Sequence, residues 1–115
     1  MKIYSGIFFD NGLHMTWDYR PNECVLPKGV KEGEKATVDV YGAYLSSGSG
    51  VLAVNFDLLT HQLNTNTPLH ISLYWRTAPV VCGTVIKAAT LNKELTPVSF
   101  TMTGKWGYHD RDMRI

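Results

Sequence analysis

Glycines and prolines interrupt this chain so often that no stretch sustains the 3.6-residue period of a long amphipathic helix, and short extended pieces lie between the breakers. Residues 3–9 read as a strand. Asp10-Asn11-Gly12 follows, with an Asn-Gly step that favours the positive φ values of a tight hairpin turn, so residues 13–19 are the returning strand. Residues 20–34, with Pro21, Pro27, Gly29 and Gly33, read as an irregular connection with room for a short helical turn around 22–26. Residues 36–45 are rich in strand formers, and Ser46-Ser47-Gly48-Ser49-Gly50 links them into residues 51–59 as a second hairpin. A polar loop over 62–68 leads to a strand over 69–76. Residues 80–91, after Pro79, fit a strand, a short helix or both in turn; residues 98–103 and then Gly104-Lys105-Trp106-Gly107-Tyr108 suggest final strands with a loop or a terminal strand. The expected class is α+β and β-rich, mainly antiparallel sheet with few short helices.

At 115 residues the chain has the size of a single domain, 1–115, and can bury roughly two thirds of the surface its unfolded form exposes. Eleven Lys and Arg against ten Asp and Glu leave a net charge of +1. That offers no broad attraction to duplex DNA, so a nucleotide partner must be held locally. Cys24 and Cys82 lie far apart with no CxxC pairing and read as free, mostly buried thiols, although one bridge stays open. The first residues lack a signal-peptide core, and the apolar runs fall short of the ~20 residues of a membrane-spanning helix. A soluble, cytoplasmic protein without a membrane partner is expected.

The chemistry is concentrated in a repeated tetrapeptide, His14-Met15-Thr16-Trp17 and His70-Ile71-Ser72-Leu73, each reading histidine, apolar, hydroxyl, apolar. Side chains alternate along a strand, so His14 and Thr16 share one face and Met15 and Trp17 the other. His70 and Ser72 are opposed in the same way by Ile71 and Leu73. Two such strands present two imidazoles and two hydroxyls to one groove, with the apolar residues in the core behind. In-line attack at phosphorus needs a base on the entering oxygen and an acid on the leaving one, roles that two imidazoles titrating near neutrality can fill. The hydroxyls of Thr16 and Ser72 can donate hydrogen bonds to the non-bridging oxygens. Which histidine is acid and which is base stays open. The sequence has no HExxH, no DxD beside a histidine and no Cys/His ligand set, so no metal or other cofactor is expected. The competing reading is that one or both histidines are ordinary polar-face residues of a sheet.

Paired motifs of this kind resemble the two-histidine (2H) phosphoesterase superfamily, and Tyr4-Ser5-Gly6-Ile7, the central hairpin and Pro79-Val80 are similar to its small phage-type, RNA-repair-like members. The resemblance implies a compact 2H-phosphoesterase-like groove and a metal-independent phosphodiesterase, with His14 and His70 catalytic and Thr16 and Ser72 on the phosphate. It implies a cyclic phosphate, cyclic nucleotide or cyclic oligonucleotide as substrate. Biologically that means processing 2′,3′-cyclic phosphate RNA ends or degrading a nucleotide messenger of antiviral immunity, in the host cytoplasm if the chain is phage-encoded. The two motifs are closer together than in many members, and the helices of the family's two lobes are hard to place.

Weaker candidates surround this core. Tyr74 and Arg76 continue the face of His70 and Ser72, as groove lining and a phosphate contact or as a solvated strand end. Asp18 falls on the face of His14 and Thr16, where it can orient an imidazole. Trp17 and Tyr19 fall on the opposite face and are assigned to the core. For Trp106 and Tyr108, packing is favoured over stacking on a base. His61 and His109 fit neither motif and read as solvated. Lys28, Lys31 and Lys35 alternate with Glu32 and Glu34 in a solvated loop. Two rival functions remain: a nucleotide-binding sponge without catalysis, and a small β-rich structural protein with coincidental motifs. An oligomer formed by pairing exposed sheet edges is also open.

Overall fold

A computed structural model describes residues 2–20, 23–55, 69–78 and 80–110. Its elements are β1 (Lys2–Phe9), β2 (His14–Asp18), β3 (Lys35–Leu45), β4 (Ser49–Asn55), β5 (His70–Trp75), α1 (Val80–Leu91) and β6 (Thr96–Asp110). All neighbouring strands are antiparallel, and the sheet closes on itself in the order β1-β2-β5-β4-β3-β6. The β-rich, antiparallel class is therefore correct: the described residues form a six-stranded barrel with one helix. Each strand has two neighbours among the described residues, the β2–β5 seam resting on the single pair Met15 and Ile71. The polar loop expected over 62–68 and His61 lie outside the described residues.

Closure depends on β6. The sequence left 104–108 open between a loop and a terminal strand; it is strand, continuous with 98–103, and this one strand serves two partners: its first part pairs with β3, Thr96 opposite Ala43 through Lys105 opposite Lys35, and its second with β1, Gly104 opposite Phe9 through Asp110 opposite Lys2. The β1–β2 turn has three residues. Gly12 donates its N–H to the Phe9 carbonyl, Phe9 donates to Leu13, and Gly12 alone takes a positive φ, 88°. Asn11 instead accepts the Leu13 N–H on its side-chain oxygen at 3.0 Å. This is a type I turn closed by a left-handed glycine, so the Asn-Gly step turns the chain without Asn11 entering the left-handed region.

Residues 80–91, left open between strand and helix, are helical because Cys82, Ile86 and Ala89 fall on one stripe and are buried together. The helix ends with Lys93 at φ 58°, its N–H on the Thr90 carbonyl and the Glu94 N–H on the Ala89 carbonyl. That is a Schellman closure with lysine where glycine is usual. Two cores result. Ile7, Met15, Trp17, Val38, Val40, Leu52, Ile71 and Trp106 fill the barrel, while Val51 and Ala53 on the outer face of β4 pack against Cys82 and Ile86 of α1. Trp17 and Trp106 meet edge to face inside, 5.5 Å between centroids. The connection between β2 and β3 is irregular as expected; its Leu26 and Val30 pack against the barrel core, and Gly33 and Glu34 hydrogen-bond to the backbone of Trp106. Cys24 and Cys82 are both buried and are not joined in a disulfide. No helix among the described residues is long and apolar enough to cross a membrane.

Candidate functional site

Met15 and Ile71 are opposite partners across β2 and β5, and both are fully buried in the barrel. Continuing that antiparallel register by one residue each way sets His14 beside Ser72 and Thr16 beside His70, all four on the outer face and half-buried. Directly opposite side chains stand about 4.5–5.5 Å apart at Cβ, and the His14–His70 diagonal is about 7–8 Å. α1 packs on the outer face of the next strand, β4.

On the other side of β2 the outer face continues onto β1 and β6. Phe8 is opposite His14 and Lys105; Gly6 is opposite Thr16 and Gly107; Tyr4 is opposite His109. The middle row thus has no side chains on β6 and β1. Tyr4 and Phe8, two residues either side of Gly6, close over the gap with ring centroids 5.9 Å apart. The His14 ring is 4.8 Å from Tyr4 and 5.8 Å from Phe8. Tyr4 in turn lies 4.7 Å from His109 with only 7° between the ring planes. His109, expected to be solvated, is half-buried in this cluster. Burial lowers the His14 pKa below the usual imidazole value, helped by the nearby charges of His109 and then His70. Burial also pushes the Tyr4 hydroxyl up, with a further push from Tyr19, so Tyr4 stays protonated.

Two expectations about β2 are reversed by a bulge. Gly6 pairs with Thr16 but Ser5 pairs with Asp18, so two residues of β2 oppose a single step of β1. The extra residue turns Asp18 inward after Trp17, and both are buried. Asp18 therefore orients no imidazole. It accepts hydrogen bonds from Arg20 Nε and Nη2 and from the Val25 N–H, each 2.9 Å, and so ties down the connection to β3. Burial pushes its carboxyl up, but those hydrogen bonds and the Arg20 charge outweigh burial and hold the pKa below the ordinary carboxylate value. Tyr19, assigned to the core, is 64 % exposed and stacks at 6.2 Å on Tyr4 outside the barrel.

The two remaining candidates have backbone and turn contacts of their own. Tyr74 keeps the outer face, but its ring lies over Gly50 and its hydroxyl donates to the Ser46 carbonyl, which anchors the β3–β4 turn. Arg76 follows the end of β5, six residues beyond His70 and about 20 Å along an extended chain, with its N–H on the Gly48 carbonyl. Trp106 is in the core, as favoured from sequence. Tyr4 and Phe8 were within reach of sequence reasoning, because the hairpin pairs β1 with β2 and period-two alternation then puts Tyr4, Gly6 and Phe8 on the face of His14. His109 was not, because nothing local announces that β6 pairs with β1. Among the described residues no group of three or more His, Cys, Asp and Glu side chains is placed to share a metal ion. Compared with protein-family models, curated proteins and solved structures, the chain matches none of them.

Proposed function

We propose that the chain is a metal-independent phosphodiesterase of the two-histidine type, acting on a cyclic phosphate or on a cyclic nucleotide or oligonucleotide. The observation that supports this reading is the pairing of Met15 with Ile71 across β2 and β5, a register that, continued by one residue each way, puts half-buried His14 beside Ser72 and Thr16 beside His70. In this reading their shared outer face, bounded by α1 on one side and the Tyr4 ring cluster on the other, is the substrate groove. His14, held neutral at neutral pH, takes the proton from the attacking oxygen as it bonds to phosphorus. His70 gives a proton to the oxygen whose bond to phosphorus breaks. The Thr16 and Ser72 hydroxyls donate to the non-bridging oxygens, where charge rearranges in the transition state. Water as attacker opens a 2′,3′-cyclic phosphate to a monoester, and a ribose 2′-hydroxyl as attacker converts a 3′–5′ linkage to a 2′,3′-cyclic phosphate. The first matches processing of RNA ends. Cleavage of a cyclic oligonucleotide matches removal of an immune messenger, in a host cytoplasm if the chain is phage-encoded.

The test is incubation of the protein, His14→Ala and His70→Ala in EDTA with 2′,3′-cyclic mononucleotides, cyclic dinucleotides, cyclic trinucleotides and cyclic ADP-ribose isomers. Turnover that survives chelation and is lost in both variants is the expected result, and the substrate cleaved names the class. Tight binding without turnover replaces the enzyme by a nucleotide sponge. Neither binding nor turnover anywhere in the panel sets the reading aside.

A further inference from the structure

Tyr4 stands between two imidazoles. β1 lies between β6 and β2, and the Tyr4 ring is 4.7 Å from His109 on the β6 side and 4.8 Å from His14 on the β2 side, at interplanar angles of 7° and 23°. The imidazoles are thus no more than about 10 Å apart, with a parallel ring in contact with each. Phe8 supports the His14 side and Tyr19 the outer side of the same stack. Rings packed face to face restrict one another's side-chain rotations. An aromatic face also favours a single imidazolium resting on it, whereas two imidazoliums sharing one ring repel.

We propose that Tyr4 and His109 belong to the site of His14: Tyr4 is the positioning residue that fixes the His14 imidazole, and His109 is a second imidazole whose proton is coupled to that of His14 across the shared ring. The catalytic consequence rests on reading His14 as an acid–base group; the coupling is a property of the three rings and holds without it. The groups that face His14 are Tyr4 from β1, His70 from β5 and His109 from β6. Lys105 is on the outer face across Phe8, and Asp18 is turned inward and taken up by Arg20 and Val25. The charge of His109 therefore opposes a proton on His14 and extends the range over which His14 can act as a base. The Tyr4 hydroxyl stays protonated, so the ring contributes its face and no charge.

Histidine side-chain NMR titration of the free protein tests this without any substrate. Removing the charge in His109→Gln is expected to raise the His14 midpoint by about 0.3 to 1 pH unit, the span for unit charges roughly 10 Å apart between water and a surface-site dielectric. Tyr4→Phe keeps the ring and should leave the His14 midpoint and its ring-current-shifted resonances in place. Tyr4→Leu should move both. A His14 midpoint within about 0.1 unit of wild type in His109→Gln overturns the coupling, and unchanged His14 resonances in Tyr4→Leu overturn the positioning role. If a panel substrate is turned over, the acid limb of kcat/KM should shift in His109→Gln by the same amount as the NMR midpoint. Coupling seen by NMR with no turnover on any substrate removes the phosphodiesterase reading and leaves the ring coupling standing.

Discussion

Met15 and Ile71 face each other inside the barrel, and this one buried pair determines where four polar side chains stand outside it. A one-residue slip of β5 against β2 would put His70 and Ser72 into the core and Ile71 into solvent. Burial of two large apolar side chains, each contributing about 1.5–3 kcal/mol, opposes that slip. The alignment of the two tetrapeptides is thus held by their apolar positions.

The hydroxyls are the first quantitative test of the proposed chemistry. Thr16→Val and Ser72→Ala each remove a donor while keeping the strand, and each is expected to lower kcat/KM by about tenfold to a hundredfold. The loss should be smaller than that of either histidine variant, for which about a hundredfold to ten-thousandfold is expected. Steady-state kinetics on the panel substrate, with thermal melts to check that the variants are folded, measures both.

The lowered pKa of His14 predicts pH effects of definite sign. Because the folded chain binds the His14 proton less readily than the unfolded chain, stability from this group is complete above the unfolded value of about 6.5 and declines as pH falls through the lower folded value. His14→Gln should flatten that decline in urea melts taken between about pH 7 and pH 5. In the proposed mechanism, with His14 as the base, the acid limb of kcat/KM falls below about pH 6.5.

Asp18 acts over a lower range. Its folded pKa is depressed, so its contribution is complete above the unfolded value of about 3.9 and is lost as pH falls through the folded one. Asp18→Ala leaves the Val25 N–H without its carboxylate and should cost about 2 kcal/mol at pH 7, read by urea unfolding, with a flatter acid limb than wild type.

Gly6 is fixed by space. A Cβ there would run into the backbone carbonyl of Met15, which cannot swing aside as a flexible side chain could. Gly6→Ala should therefore push β2 off β1, with a loss of about 2 kcal/mol or more in urea unfolding and a change in the His14 NMR resonances.

Lys93 makes the opposite case. It holds a left-handed φ of 58° at the helix end without a glycine's freedom, so Lys93→Gly should stabilise the chain by about 0.5–1 kcal/mol in the same assay.

Strands β1 to β5 were legible within one or two residues at most of their ends, because each combines alternation with a glycine-bearing or polar turn. The helix was not settled, since Val80-Val81-Cys82 reads as strand until Cys82, Ile86 and Ala89 are seen to be buried together. Within the candidate site, period-two alternation placed Thr16 with His14 and Ser72 with His70. It failed at Asp18 and Tyr19, because a bulge adds one residue to the count and a single sequence does not reveal where a strand is bulged.

What the sequence by itself determined is local: two strands, each with a histidine and a hydroxyl on one face and apolar residues on the other, as the two-residue repeat of an extended chain requires. Only the tertiary structure decided that these strands are neighbours, in which register, and that β6 returns to bring His109 against Tyr4. The physical reason is that strand pairing is non-local. Backbone hydrogen bonds are nearly indifferent to which residues they join, and the choice among partners is made by closing the barrel around one shared core.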